Sequence, residues 1–214
     1  MQQEHSRREL KVRSAEWVKK VTAYLVKTNI TPNQISILSI IFSALAGLSF
    51  YAFSATSWII WFALAAIFIQ LRLQCNLFDG LVAVEGGKGT KSGELFNDIP
   101  DRFADVFILL GAGLSLNSDY GVHLGWIAGL LAVMTAYVRT LGGSLGAPIS
   151  FMGPMAKQHR MAILTIAALL SMFEFSFYHT QYLLLIALWV IILGSLFTCY
   201  RRAKTIYHFL ENKD

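Results

Sequence analysis

The chain has little charge and almost no cysteine. Of its 214 residues, 55% are hydrophobic and only 14% are charged, whereas a soluble globular domain carries about 25% charged residues. This composition excludes an ordinary soluble domain and favours a membrane protein. The two cysteines, Cys75 and Cys199, are too few for a disulfide framework or a thiolate metal site. We therefore expect two free thiols.

The longest stretch without charge runs from residue 28 to residue 71, where no Asp, Glu, Lys or Arg occurs. It holds two bilayer-spanning helices of about 20 residues each, with a turn predicted between residues 54 and 57. Thr31 is the predicted N-cap of the first helix, and Pro32 suits its first helical position. The second span is predicted to begin at about Trp58.

Four more apolar segments predict four further spans, which makes the chain an all-α membrane protein with six transmembrane helices. Residues 1–214 are interpreted as one domain, with the six-helix bundle at 31–200 and a cytoplasmic tail at 201–214. The approximate bounds of the last four spans are Asp98–Leu116, Gly121–Arg139, Met161–Tyr178 and Tyr182–Tyr200.

The basic residues lie on one side of these predicted spans. The opposite loops carry Asp119 and Glu174 instead, so the positive-inside rule places both termini in the cytoplasm. The net charge of +5 is thereby explained by topology, and we expect no nucleic-acid partner. The basic residues in and after the bundle that support this orientation are Lys88, Lys91, Lys157, Arg160, Arg201, Arg202 and Lys204.

The segment from Leu10 to Lys27, within a juxtamembrane region at 1–30, is predicted to form an amphipathic helix. Its apolar residues fall at helical spacing and its cations favour the anionic surface of the membrane. A solvated arm is the alternative. The apolar set is Leu10, Trp17, Val21 and Tyr24, and the basic set is Arg13, Lys19, Lys20 and Lys27.

The segment "NLFDGLVAVEGGKGTKSGELFNDIPDRFAD", residues 76–105, places acids at the ends of two apolar spans. Helical spacing puts Asn76, Asp79, Gly80 and Ala83 on one face, and Asn97, Asp98, Asp101 and Asp105 on another. Carboxylates at such depth usually mark function, and converging oxygen ligands suit a hard divalent cation. The glycine-rich loop between the helices suits phosphates but lacks the Walker A spacing.

This segment resembles the signature of the CDP-alcohol phosphotransferases, Asp-x2-Asp-Gly-x2-Ala-Arg-x8-Gly-x3-Asp-x3-Asp. The spacing matches without a gap, and "TPNQIS" is similar to the family's entry to its first helix. The aligned residues are Asn76, Asp79, Gly80, Ala83, Val84, Gly93, Asn97 and Asp101.

The resemblance implies a six-helix bundle, commonly dimeric, that transfers the substituted phosphate of a CDP-linked donor to an alcohol and releases CMP. It implies Mg²⁺ or Mn²⁺ as cofactor, CDP-diacylglycerol as the donor of a phosphatidyl group, and a site facing the cytoplasm of a bacterial inner membrane. Asp101 takes the position of the base. The implied metal set is Asn76, Asp79, Asn97, Asp98 and Asp101, and the implied nucleotide set is Asn76, Asp79, Gly80, Ala83 and Gly93.

Three positions depart from the signature. Asn76 and Asn97 stand where the family has aspartates, and Val84 stands where it has arginine. Asp98 and Asp105 are candidates to replace these two carboxylates, with Asp105 as a ligand or as the base. Lys88 or Lys91 are candidates to bind the phosphate in place of that arginine.

A second basic group follows at Arg139 and in "GPMAKQHR", where Lys157 and Arg160 share a helix face. With Lys91, these residues are interpreted as an anion site for the phosphate of donor or acceptor. Ordinary positive-inside charge is the alternative. Arg72 is interpreted as snorkelling to the cytoplasmic surface.

Three alternatives to an active enzyme stay open at this point: an inactive relative of the family, a small cation transporter and a non-catalytic membrane scaffold. The acceptor also stays open, with glycerol 3-phosphate, serine and inositol phosphate all compatible. The anionic site favours a phosphorylated or otherwise anionic acceptor.

Overall fold

The structure, a computed structural model, describes residues 15–148 and 152–212. These residues form seven α-helices and no strand, which confirms the all-α fold class. The helices are α1 (Glu16–Lys27), α2 (Pro32–Thr56), α3 (Ile60–Glu85), α4 (Gly93–Ser115), α5 (Gly121–Ser144), α6 (Lys157–Tyr178) and α7 (Tyr182–Glu211).

The start of α2 follows the sequence signals. The Thr31 side chain accepts a hydrogen bond from the Gln34 N–H, and the Gln34 side chain accepts one from the Thr31 N–H. This reciprocal pair is a capping box, and it satisfies donors that the first turn of a helix otherwise leaves open. The helix ends where Ser57 adopts a left-handed conformation, with φ of 56°, inside the predicted turn.

Five helices are long and apolar enough to cross a membrane, namely α2, α3, α5, α6 and α7. The chain is therefore an integral membrane protein. The helix in the position of the third predicted span, α4, has 23 residues but does not belong to this apolar set. Its sequence carries Glu94, Asp98, Asp101, Arg102 and Asp105, which lower its hydropathy.

The acidic helix α4 packs between α2 and α5, while α6 packs against α3 and α7. Glycines allow this close packing: a Cβ on Gly111 would lie 2.4 Å from Gly47 Cα in α2. Small residues at such crossings let two backbones approach each other closely. An aromatic cluster of Phe50, Phe53 and Phe62 fills the core between α2 and α3. This packing of α4 between its neighbours buries Asp101 and Asp105 inside the bundle.

Four helix ends extend beyond the bounds that the hydropathy predicted. The helix α4 begins at Gly93 and α6 at Lys157, while α5 continues to Ser144 and α7 to Glu211. The segment predicted as a tail is therefore mostly helical. Hydropathy marks only the apolar part of a helix, whereas Lys, Arg and Glu are good helix formers that extend it.

The helix α1 lies against α3. Val18 and Thr22 are buried, and Trp17 makes an edge-on contact with Phe78 of α3. Trp17, Val21 and Tyr24 of the predicted apolar face keep large exposed surfaces. Residues 10–14 of the predicted amphipathic segment lie outside the described residues.

Candidate active site

The α3 half of the site combines one carboxylate with one amide. Asp79 is buried, and its Oδ2 accepts a hydrogen bond from Ser36 Oγ at 2.7 Å. Its Oδ1 accepts one from the Gly80 N–H at 2.5 Å. One turn earlier, both polar side-chain atoms of Asn76 are buried without a hydrogen-bond partner among the described residues. Buried amides are normally paired, so the Asn76 side chain is available to a ligand, and its role as a metal ligand stays a prediction.

Gly80 of α3 leaves open space beside the Asp79 carboxylate. A Cβ placed on Gly80 would meet no atom within 4 Å, and one on Gly93 would first meet Thr90 Oγ1 at 3.6 Å. Ala83 is partly buried, one turn after Asp79. Small residues here leave the backbone accessible to a bulky ligand.

The α4 half of the site is a network of ion pairs. Lys157 Nζ lies 2.5 Å from Asp101 Oδ2. Arg72 Nη2 lies 2.7 Å from Asp105 Oδ1 and 3.5 Å from Asp101 Oδ1. Arg160 Nη2 lies 2.6 Å from Asp105 Oδ2. Both oxygens of Asp105 are thus held by arginines, and its side chain is 1% exposed.

The interpretation of Arg72 as a snorkelling residue is wrong. Its side chain is 0% exposed and joins Asp101 to Asp105 inside the bundle. The two carboxylates make this burial tolerable, because an unpaired guanidinium would carry a large desolvation cost. Arg72 is therefore part of the site.

Asp98 and Asn97 lie outside the ion-pair network of Asp101 and Asp105. Asp98 pairs with Arg102 at 3.1 Å and with Arg139 at 3.2 Å, and Asn97 is exposed. Helical spacing alone does not explain this difference, because Asn97 belongs to the i, i+4 series of Asp101 and Asp105 but lies near the exposed start of α4.

The predicted anion group divides into two parts. Lys157 and Arg160 turn towards the carboxylates of α4, and Arg160 also donates to the Met155 carbonyl and to Thr135 Oγ1. Arg139 instead lines a small pocket together with Arg202 of α7. The other lining residues are Gly142, Ala147, Pro148, Thr205, Ile206 and Phe209.

The two lysines of the α3–α4 loop differ in their surroundings. Lys88 Nζ donates to the Thr28 carbonyl at 2.6 Å, which ties the loop to the end of α1. Lys91 and Val84 are exposed. Lys91 is thus the loop lysine that is open to a ligand.

The oxygen donors of α3 fit a single hard divalent cation. Asp79 supplies a carboxylate and Asn76 an unpartnered buried amide, and Mg²⁺ commonly uses one or two carboxylates plus water and substrate phosphates. Within residues 15–148 and 152–212, no group of three or more His, Cys, Asp or Glu side chains is arranged to hold a metal. Two signature positions that would otherwise add carboxylates to such a group are occupied by asparagines. On α4, Asp101 and Asp105 are paired with Lys157, Arg72 and Arg160.

The sequence did not predict Ser36, Thr135 or Arg202 as residues of the site. Arg202 Nε donates to the Met152 carbonyl at 2.9 Å and its Nη1 donates to the Thr135 carbonyl. Arg72 had a usable signal, because it precedes Asn76 by four residues and so shares its helix face. The contacts of Ser36 and Thr135 depend on packing between distant helices and leave no local pattern.

Comparison with known proteins gives relatives along most of the chain. The phosphatidylinositol phosphate synthase of Streptomyces avermitilis is 28% identical over 86% of this chain and 75% of its own length. The archaetidylinositol phosphate synthase of Pyrococcus horikoshii is 24% identical over 87% of this chain and 93% of its own. No family model matches the chain.

Solved structures show the same fold. The phosphatidylinositol phosphate synthase of Mycobacterium tuberculosis with CDP-DAG bound has a TM-score of 0.75, 20% identity, and coverage of 90% of this chain and 94% of that one. The same enzyme in complex with manganese and citrate has a TM-score of 0.74 and covers 88% of both chains, also at 20% identity.

The fold is shared with these solved structures, and the signature segment is similar to that of the CDP-alcohol phosphotransferases. The relatives confirm the resemblance of residues 76–101 to the CDP-alcohol phosphotransferase signature.

Proposed function

We propose that the chain is a CDP-alcohol phosphatidyltransferase that moves the phosphatidyl group of CDP-diacylglycerol to an alcohol and releases CMP, in phospholipid biosynthesis. The observation that carries this proposal is the buried Asp79 carboxylate on α3, next to an Asn76 amide without a partner among the described residues, inside the matching signature. Relatives with synthase activity by name and a structural neighbour with CDP-DAG bound support it.

Asn76 and Asp79 would hold Mg²⁺ or Mn²⁺, with Asp101 nearby on α4 and with Asn97 and Asp98 less well placed. A bound divalent cation supplies charge neutralisation of the diphosphate and stabilises the leaving CMP. The open side of Gly80, with Ala83 and Gly93, gives the nucleotide room to approach the backbone.

Asp101 is the base. The acceptor hydroxyl oxygen attacks the phosphorus of the phosphatidyl group, the bond from that phosphorus to the oxygen of CMP breaks, and the hydroxyl proton passes to the Asp101 carboxylate. Asp105 is the poorer candidate, because Arg72 and Arg160 occupy both of its oxygens. Its role is to fix Arg72, which in turn contacts Asp101.

The acceptor is a phosphorylated polyol in this proposal. Arg139 and Arg202 line one small pocket, with Thr205 as a further polar group, and guanidinium groups suit the oxygens of a phosphate. The names of the relatives support inositol phosphate as the class of acceptor. Lys91 and Lys157 contribute positive charge, whereas Arg160 is committed to Asp105.

The membrane arrangement in this proposal rests on the packing of α4 and on its charged residues. We place α4 across the membrane as a sixth span, since α2 and α5 pack on both of its sides and its acids are paired internally. Both termini and the site face the cytoplasm of a bacterial inner membrane. The helix α1 lies on the membrane surface through its exposed Trp17 and Tyr24. The protein assembles as a homodimer.

A test of this function measures CMP release by the purified full-length chain with Mn²⁺ and CDP-diacylglycerol against a panel of acceptors. We expect inositol phosphate to give the fastest release, ahead of glycerol 3-phosphate, serine and free inositol. If no alcohol in the panel supports metal-dependent CMP release, the proposed function is wrong. If serine or free inositol is fastest, the enzyme class stands but the phosphate-binding role of the Arg139–Arg202 pocket is wrong.

A further inference from the structure

The ion pair between Lys157 and Asp101 joins α6 to the α4 half of the site. Lys157 is the first residue of α6, and its ammonium lies 2.5 Å from Asp101 Oδ2. The side chain of Lys157 is 27% exposed and that of Asp101 is 7% exposed. A carboxylate oxygen in so close a contact with an ammonium is not at the same time free for a metal or for an acceptor proton.

The neighbouring cations are fixed far more firmly than Lys157. Arg72 and Arg160 are 0% and 2% exposed, and both bind Asp105. Arg160 is further held by the Met155 carbonyl. A lysine is a compact, strongly hydrated charge on a flexible stem, whereas arginine forms a rigid fork. Of these three cations, Lys157 is the one that can exchange its partner at low cost.

We propose that Lys157 and a divalent cation compete for the Asp101 carboxylate, and that cation binding releases the Lys157 ammonium to an anionic phosphate of the substrate. The inference rests on the proposed function for the identity of that anion, but not for the exchange itself. Asp79 and Asn76 on α3 provide the other oxygen donors for the cation.

The exchange also supplies a free cation to a site that lacks the arginine of the signature. Val84 stands at that position and is exposed, and Lys88 is occupied by the Thr28 carbonyl. A Lys157 ammonium freed from Asp101 supplies a positive charge from a different helix. By thermodynamic linkage, metal and phosphate then favour each other's binding, and part of that coupling depends on Lys157.

The first test is Mn²⁺ binding to the full-length protein in detergent, followed by the paramagnetic resonance signal of free Mn²⁺. We expect Lys157→Gln to bind Mn²⁺ about three- to tenfold more tightly than the wild type, because the competing charge is gone. Lys91→Gln makes the same charge change on the exposed loop and should alter the affinity by less than about twofold. Unchanged or weaker binding by Lys157→Gln would overturn the proposal.

The second test uses the wild type, so it does not depend on the folding of a variant. An amine-reactive label is applied with and without Mn²⁺, and modification of Lys157 is quantified by mass spectrometry with Lys91 as the internal reference. Faster labelling of Lys157 with Mn²⁺ is expected. Equal or slower labelling would mean that the ion pair is purely structural.

Neither test contains a CDP-linked donor or an acceptor, so the two hypotheses fail separately. A protein that shows Mn²⁺-dependent release of Lys157 but no CMP production refutes the proposed function alone. A protein that produces CMP while Lys157 stays protected refutes the exchange alone.

Discussion

The two halves of the site treat their carboxylates in opposite ways. On α3, Asp79 is held by neutral donors, Ser36 and the Gly80 N–H, beside an amide without a partner among the described residues. On α4, Asp101 and Asp105 are held by cations of the chain itself. A carboxylate among neutral donors keeps its charge available to a ligand, whereas one paired with guanidinium groups is already compensated. The α3 half is therefore open to a cation, whereas the α4 half, which carries the proposed base Asp101, is held in place by ion pairs.

The largest expected effect separates the two carboxylates of α4. Asp101→Asn should lower kcat by about 10²–10⁴-fold, because the amide does not accept the acceptor's proton. Binding of Mn²⁺ should weaken, because Asp101 is one of its proposed ligands, but should not be lost, since Asp79 and Asn76 remain. Turnover is measured as CMP release and binding by titration with Mn²⁺. Full turnover in this variant would refute the assignment of the base, and an Asp105→Asn variant would then be the next candidate to assay.

The second prediction concerns stability of the buried pair. Arg72→Met should destabilise the protein by about 3–5 kcal/mol, because it removes a partner of the buried Asp105. The double variant Arg72→Met/Asp105→Leu should recover part of that stability, since no uncompensated carboxylate remains at position 105.

Thermal unfolding in detergent measures both variants. Arg102→Met is the matched control, because Arg102 pairs with Asp98, whose side chain is 46% exposed, and such pairs contribute about 0–1 kcal/mol. A double variant less stable than Arg72→Met alone would contradict this account of the network.

The smallest expected effect compares the two asparagines of the signature. Asn76→Asp should tighten Mn²⁺ binding by about tenfold, because it adds a charged ligand next to Asp79. Asn97→Asp should change the affinity less, since Asn97 is exposed on α4. Both affinities are measured in the same Mn²⁺ titration. A larger gain at Asn97 than at Asn76 would reverse the roles assigned to the two halves.

Much of the fold follows from local sequence patterns. The charge-free run, the Thr31 cap and the turn near Ser57 each depend on residues close together in the chain, so they were predictable. The spacing of Asn76 and Asp79 likewise places them on one helix face. The helix ends were harder, because Lys157 and the basic residues after Tyr200 are polar but still helical.

The partners of the charged residues were not predictable in the same way. Arg72 meets Asp105 across 33 positions of sequence, and Arg160 meets Asp105 across 55. These contacts depend on which helices are adjacent and how each is rotated, and helical periodicity contains neither. For this reason the sequence indicated the acids of the site but did not reveal that α4 is paired with counter-ions of the chain itself.

The most direct measurement of the central claim is CMP release from CDP-diacylglycerol by the wild type and by Asp79→Asn, with inositol phosphate and Mn²⁺. The account predicts metal-dependent release by the wild type and a decrease of about 100-fold or more in the variant, because its α3 half then lacks a carboxylate. Equal release by the two proteins, or release that does not depend on the metal, would contradict it.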